Sequence, residues 1–279
     1  RFISLFNLLM KYKLLLFVTY FSFMACQRNA ITGRKQLAIF PESDAQSMAV
    51  TQYQTFIKTN KVVPAGNKEA DMVKRVGNRI IKAIKEYYES KGLSKELEGY
   101  QWQINLVEDK QVNAWCMPGG KIVVYTGILP ITQNEAALAV VMGHEIAHAL
   151  AKHGSERMSQ GLIQQGLGAG LAIALSSQPS LTQDVFNSAY GIGSNAVAMP
   201  AFSRANELEA DKFGLMFSAL AGYSPKEAIP FWQRMSKIGG DSTTPEFMRT
   251  HPTDEKRIEE LQKNMDDIIK NYYKPSANK

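Results

Sequence analysis

Two histidines four residues apart with a glutamate between them are the part of this chain best equipped for chemistry: His144-Glu145-Ile146-Ala147-His148. On an α-helix, residues four apart lie one turn above each other on one face, so His144 and His148 can offer two imidazole nitrogens to one metal ion. Zinc sites use this H-E-x-x-H spacing. Glu145 sits beside the pair rather than on the metal, where it can take a proton from a water that the metal activates. A five-residue pattern also arises by chance, so its surroundings decide. Asn134 is a good N-cap, Glu135 falls in the first turn and Gly154 offers a C-terminal stop. Ala136, Leu138, Val140, Val141, Ile146, Ala147 and Leu150 make the helix apolar and therefore buried. A buried helix carrying two histidines and a glutamate must satisfy them, and a metal does so directly.

Such a pair still lacks a third ligand. Glu207 and Asp211 are four apart in Phe202–Asp211, so a helix puts both carboxylates on one face. One can bind zinc while the other accepts a hydrogen bond from a ligand histidine's free N–H and fixes its tautomer. Glu209 points roughly 200° away from Glu207 and reads as a solvated position. A different zinc class places a third histidine ten positions after the first, which here is Gly154. His153 misses that position by one and lies roughly 180° around the helix from His144, so it reads as a helix-end residue favouring the dipole. His251 stands directly before Pro252, which restrains the preceding backbone. It can donate to the oxyanion of a tetrahedral intermediate or bind zinc as a fourth ligand, and the residues alone leave both open.

The elements that must position these groups follow from periodicity. Pro41-Glu42-Ser43-Asp44 opens a helix with Ala49, Tyr53, Phe56 and Ile57 on one face, and Met72 through Tyr87 repeats apolar residues at three and four. Trp102, Ile104 and Leu106 alternate as a half-buried strand. Gln111–Cys116 and Lys121–Thr126 flank Pro118-Gly119-Gly120, a strong turn signal. An edge strand carrying Asn113 and Ala114 can pair with an extended substrate backbone; a hairpin that merely covers the core reads equally well from these residues. The glycine-rich run from Gly161 to Leu175 is too short and too glycine-broken for a membrane span, and with Gln178–Asn195 it is expected to cover the cleft. Ser224-Pro225-Lys226-Glu227 reads as a capping box, followed by an apolar face of Trp232, Met235 and Ile238 ended by Gly239-Gly240. A last amphipathic helix bears Ile258, Leu261, Met265 and Ile268, and residues 274–279 read as a disordered tail.

At 279 residues, 45% hydrophobic and 21% charged, the chain suits one sizeable globular domain, here residues 43–273. Its net charge of +6 includes Arg1, Lys11 and Lys13 ahead of any acid, and no basic cluster is interleaved with aromatics, which excludes nucleic acid as a partner. Residues 10–26 run from a basic segment through a short apolar stretch to a small residue before Cys26, a pattern of export. Met10 reads as the natural start, with residues 1–9 upstream of it and 27–42 a tether. Cys116, the only other cysteine, reads as a buried small apolar residue, so no disulfide or cysteine metal site is expected.

Asn113-Ala-Trp-Cys-Met-Pro-Gly-Gly120, Tyr125-Thr126-Gly127, His144–His148, Ser203-Arg204 with Glu207 and Asp211, and His251-Pro252 with Arg257 occur in that order. Together with Ile31-Thr32-Gly33-Arg34, they resemble the gluzincin-type zinc metallopeptidases of family M48 that include HtpX, BepA and LoiP. The short exported lipoprotein branch is the nearest. The resemblance implies an α+β, mainly helical zincin-like fold with a small sheet beside the H-E-x-x-H helix. It implies one zinc ion held by His144, His148 and Glu207, Glu145 as base, Asp211 behind a ligand, and His251 as a fourth ligand. Phe23-Met24-Ala25-Cys26 resembles a lipobox, which implies lipidation of Cys26. The expected function is a membrane-anchored endopeptidase facing the periplasm, at the outer rather than the inner membrane, acting on misfolded envelope proteins. The rival is a chaperone-like envelope scaffold that binds unfolded chains and rarely cleaves.

Overall fold

The computed structural model describes residues 26–163, 179–190, 202–238, 244–252 and 255–275. The export segment before Cys26, the glycine-rich stretch beyond Ile163, residues 191–201, the Gly239-Gly240 stop and the last four residues lie outside the described residues. Where the sequence suggested a tether, β1 (Cys26–Arg28) and β2 (Lys35–Leu37) form an antiparallel hairpin. It is docked, not free: Asn29, Gln36, Ile39 and Phe40 are buried. Helix α1 (Glu42–Thr59) buries Ala45, Ala49 and Tyr53. Helix α2 (Lys68–Ser90) starts where Asn67 accepts hydrogen bonds from the amides of Glu69 and Ala70, and it buries the whole apolar repeat from Val73 to Ile84.

Strands β3 (Gln103–Val107), β4 (Ala114–Met117) and β5 (Lys121–Tyr125) make one sheet in the order β3-β5-β4. β4 and β5 form the expected antiparallel pair, with Cys116 opposite Ile122, while β3 runs parallel to β5 with Ile104 opposite Ile122. Gly119 and Gly120 close the turn at φ of 74° and 82°, which side chains rarely tolerate. The central strand β5 is buried throughout and β4 is left at an edge.

The remaining elements are helical: α3 (Leu129–Thr132), α4 (Glu135–Leu150), α5 (His153–Leu162), α6 (Pro179–Tyr190), α7 (Arg204–Leu220), α8 (Ala228–Ser236), α9 (Glu246–Thr250) and α10 (Glu255–Tyr272). The fold is therefore α+β and mainly helical, with its small sheet beside α4, the helix that carries His144 and His148. No helix among the described residues is long and apolar enough to cross a membrane. Three local expectations are corrected. Helix α4 stops at Leu150 and not near Gly154, because Lys152 takes a left-handed turn at φ 58° and α5 begins at once. Ser224 makes no side-chain cap, and Glu227 instead accepts from the Asn134 amide at 3.0 Å. Ile238 is exposed.

Helix α4 is buried along nearly all its length, and its main partner is α7. The two cross at Gly143 and Gly214. A Cβ on Gly143 would come within 2.6 Å of the Gly214 carbonyl, and one on Gly214 within 2.7 Å of the His144 nitrogen. Both obstacles are backbone, so no side chain can swing aside. Gly214→Ala is expected to cost about 1–3 kcal/mol in denaturant unfolding of the metal-free protein, the usual cost of overpacking. An unchanged unfolding midpoint would show that the helices do not need this approach.

Candidate metal centre

The crossing of α4 and α7 sets the site. Gly143 precedes His144, so the first turn of α7 is brought against the histidine face of α4. Ser203 caps α7, accepting from the Asn206 amide at 3.2 Å, and this places Glu207 in a first turn, where the helix dipole favours a carboxylate. From the other side, α9 ends at His251, whose amide donates to the Phe247 carbonyl at 2.9 Å. The structure brings His144, His148, Glu207 and His251 together, with one possible ligand atom from each lying within 4.8 Å of the others. All four are buried, as is Glu145.

The distances around this cluster are those of a coordination shell. His144 Nε2 lies 3.0 Å from His148 Nε2 and 3.2 Å from His251 Nδ1. Glu207 Oε1 lies 3.3 Å from His148 Nε2 and 3.0 Å from His251 Nδ1. Donors bound tetrahedrally to one zinc at its usual bond length are roughly 3.3 Å apart.

The proton inventory points the same way. Asp211 Oδ1 lies 2.9 Å from His144 Nδ1, and a carboxylate can only accept, so His144 carries its proton on Nδ1. Glu209 Oε2 lies 2.7 Å from His153 Nε2, which places the His153 proton there and leaves His153 Nδ1 as an acceptor. His148 Nδ1, 2.9 Å from His153 Nδ1, must then be the donor. Both ligand histidines consequently spend an Nδ1–H on an outer partner and turn Nε2 toward each other and toward Glu207. Two imidazole nitrogens and a carboxylate converging in one buried place are a zinc donor set, so these residues fit zinc.

Electrostatics divides the two histidines. Burial disfavours a charged imidazole at both, but hydrogen bonds to Asp211 and Glu207 outweigh it at His144 and hold its pKa up to about 9. At His148 burial wins, and the pKa falls well below the ordinary value. Burial alone would raise the Glu207 carboxyl. Arg257 and the surrounding histidines instead hold it well below the usual carboxylate range. Burial pushes Glu145 upward, and its Oε1 has no hydrogen-bond partner.

Two sequence expectations are overturned here. His153 is not a helix-end residue complementing the α4 dipole: it is the first residue of α5, buried, and bonded to His148. The turn at Lys152 swings it back, which extrapolating a straight helix could not foresee. Glu209 is not on a solvated face, since it accepts from His153 and from Arg34 Nε at 2.8 Å. The spacing also did not assign Arg257 its place. That side chain is buried, forks onto Asp211 through Nε and Nη2, reaches Glu207 Oε2 at 2.7 Å, and lies 4.1 Å over the Trp232 ring. Its position after His251-Pro252 was the only signal. Asn113 and Ala114 lie at the start of edge strand β4, which packs on α4. Asn113 O accepts from Tyr125 N, so strand alternation turns the Ala114 backbone to the open edge, where its N–H is met by Asn113 Oδ1 at 2.9 Å. Cys116 is buried and Cys26 exposed, both as free thiols.

Removing one member of a buried ion pair strands the other in a poor solvent for charge. Arg257→Met is therefore expected to cost roughly 3–5 kcal/mol in urea unfolding of the metal-free protein. A loss below about 1 kcal/mol, the level of exposed pairs, would contradict the buried network.

The sequence profile of peptidase family M48 matches residues 69–265. The mitochondrial metalloendopeptidase OMA1 of Saccharomyces cerevisiae is 33% identical over 199 residues, covering 68% of this chain and 54% of its own. The OMA1 of Arabidopsis thaliana is 35% identical over 178 residues, covering 64% of this chain and 34% of its own. The β-barrel assembly-enhancing protease of Escherichia coli is 28% identical over 163 residues, covering 55% of this chain and 32% of its own. The chain thus spans between about a third and a half of the length of these relatives.

Proposed function

The chain belongs to peptidase family M48, and on that footing we propose that it is a zinc-dependent endopeptidase in which His144, His148 and Glu207 hold the metal. The observation that carries the reading is the convergence of histidine nitrogens and a carboxylate beside Glu145, a buried glutamate with an unused oxygen.

When bound, zinc supplies a Lewis acid that polarises the scissile carbonyl and lowers the pKa of water. Glu145 takes the proton from the attacking water and passes it to the leaving amine. Its raised proton affinity suits a base that must also act as an acid. Asp211 holds His144 in the tautomer whose Nε2 is free, and Arg257 in turn holds Asp211. Strand β4 receives the substrate as an added strand, with the Ala114 N–H exchanging its bond to Asn113 for one to the peptide. His251 would hold the metal as a fourth ligand. This is supported by Nδ1, which lies among the ligand atoms, while Nε2 faces Glu145 Oε1 at 3.4 Å.

Casein digestion and zinc content test this together. Glu145→Gln is expected to lower cleavage by about 10²–10⁴-fold, the usual worth of a general base, with zinc content unchanged. Residual wild-type cleavage would remove Glu145 from its role. An inactive wild type that still binds unfolded chains would favour the scaffold reading. His251→Ala is expected to raise turnover and produce self-cleavage, because a ligand has been withdrawn. A fall of about 10²–10³-fold would instead make His251 an oxyanion donor.

Location follows a separate argument. We place the chain in a bacterial envelope, exported and lipidated at Cys26, with misfolded envelope proteins as substrates. Support comes from the Lys11–Cys26 pattern, the exposed Cys26 thiol and the likeness to the Escherichia coli protease, although other relatives are mitochondrial. Cys26→Ser, expressed in a bacterium that processes lipoproteins, is expected to leave an uncleaved precursor or a soluble product. A mature-size product still retained on membranes would exclude the anchor.

A further inference from the structure

Behind His148 lies a chain of polar contacts that the proposed reaction does not use. His148 Nδ1 meets His153 Nδ1 at 2.9 Å, and His153 Nε2 meets Glu209 Oε2 at 2.7 Å. The same Glu209 oxygen accepts from Arg34 Nε at 2.8 Å. The fork of Arg34 closes on Glu156, with Nη1 2.8 Å from Oε1 and Nη2 2.6 Å from Oε2. Glu156 also accepts from the Asn206 side chain at 2.9 Å, one residue before Glu207. His153 and Glu156 are buried, so these contacts are not a solvated rim.

Arg34 is distant in sequence, 175 residues before Glu209 and directly before strand β2. The hairpin that carries it is also fastened to the metal helix, since the Asn29 amide donates to the Leu150 carbonyl at 3.2 Å, at the C-terminal end of α4. His144 needs no such chain, because Asp211 reaches its Nδ1 directly.

We propose that Arg34, Glu209 and His153 form a positioning relay that fixes the ring and tautomer of His148, so that docking of the β1–β2 hairpin sets the affinity of the site for zinc. The relay has only one workable polarity. Glu209 can only accept, so His153 donates from Nε2 and accepts at Nδ1; His148 then donates from Nδ1 and keeps Nε2 bare for the metal. Arg34 holds Glu209 and Glu156 at once through separate edges of a rigid fork, a geometry that a lysine ammonium cannot reproduce. A histidine interposed between ligand and carboxylate lets an acid on the opposite helix serve a ligand it cannot touch.

The inference rests on the zinc reading, and the experiment separates the two. The full chain is stripped of metal and titrated with zinc against a colorimetric chelator, with metal-free melting temperature measured alongside. His153→Phe keeps the ring and removes both nitrogens. It is expected to weaken zinc binding by about 10–100-fold, the usual effect of losing an outer hydrogen-bond partner. Glu209→Gln and Arg34→Met are expected to weaken it by about 10-fold. Arg34→Lys should recover little, since one donor cannot bridge both acids. The double variant His153→Phe/Glu209→Gln should bind no worse than His153→Phe, because links of one chain do not add. A merely structural role would lower melting temperature and give additive losses, and that pattern overturns the relay. Wild-type zinc affinity in Glu209→Gln and Arg34→Met overturns it as well, even if His153→Phe fails to fold. Glu207→Ala is the control: if it also binds zinc like wild type, the assignment of the metal site has failed and the relay falls with it.

Discussion

Backbone contact between two helices is the constraint on which the rest of this structure depends. At Gly143 and Gly214 neither α4 nor α7 has a side chain, and the approach is close enough that a single added carbon would strike backbone. Because His144 follows Gly143, the contact fixes where the histidine face of α4 meets the carboxylate face of α7. Ser218 reinforces it one turn further along, its hydroxyl 2.8 Å from both the Ala139 and Gly214 carbonyls. A wider crossing would leave room for side chains but carry Glu207 out of reach of the imidazoles. The apolar lining of α4 supplies the burial energy, and the glycines decide what that energy places together.

Burying so many polar groups is costly unless each is paired, and the pairing is uneven by construction. Asp211 is fully occupied by His144 and Arg257. Glu209 is fully occupied by His153 and Arg34. The Nε2 atoms of His144 and His148 turn inward toward each other, and one oxygen of Glu145 has no hydrogen-bond partner. The outer layer is paired away from the site, and the inner layer gathers donor atoms of the kind a metal takes. That contrast separates a metal-binding site from a buried network that only stabilises the fold.

Much of this was legible in the sequence, and the boundary falls at turns and distant pairs. The i, i+4 spacings of His144 with His148 and of Glu207 with Asp211 are properties of one helix, so their shared faces could be read directly. The α2 repeat and the Pro118-Gly119-Gly120 turn were legible for the same reason, being local. His153 was not, because the reading assumed a straight helix and Lys152 bends the chain in a conformation uncommon for a side-chain-bearing residue. Glu209 pairs with residues 56 and 175 positions away, separations at which helical periodicity says nothing. The parallel pairing of β3 with β5 likewise had no local signal, since only the β4–β5 turn is written in neighbouring residues.

The finished site repeats one arrangement twice, with different parts of the chain. Each ligand histidine on α4 backs onto a carboxylate from α7, and each of those carboxylates is held by an arginine from a third element. For His144 the arginine comes from α10 and the contact is direct; for His148 it comes from the β1–β2 hairpin and passes through His153. A carboxylate alone can rotate and follow its histidine, whereas one gripped by a guanidinium has a fixed direction in which to accept. The arginine therefore transmits the position of its own element to the imidazole. Helix α4 on its own would give its histidines only a common face. Held between α10 on one side and the hairpin on the other, those histidines acquire a common point, and a metal ion needs the point rather than the face.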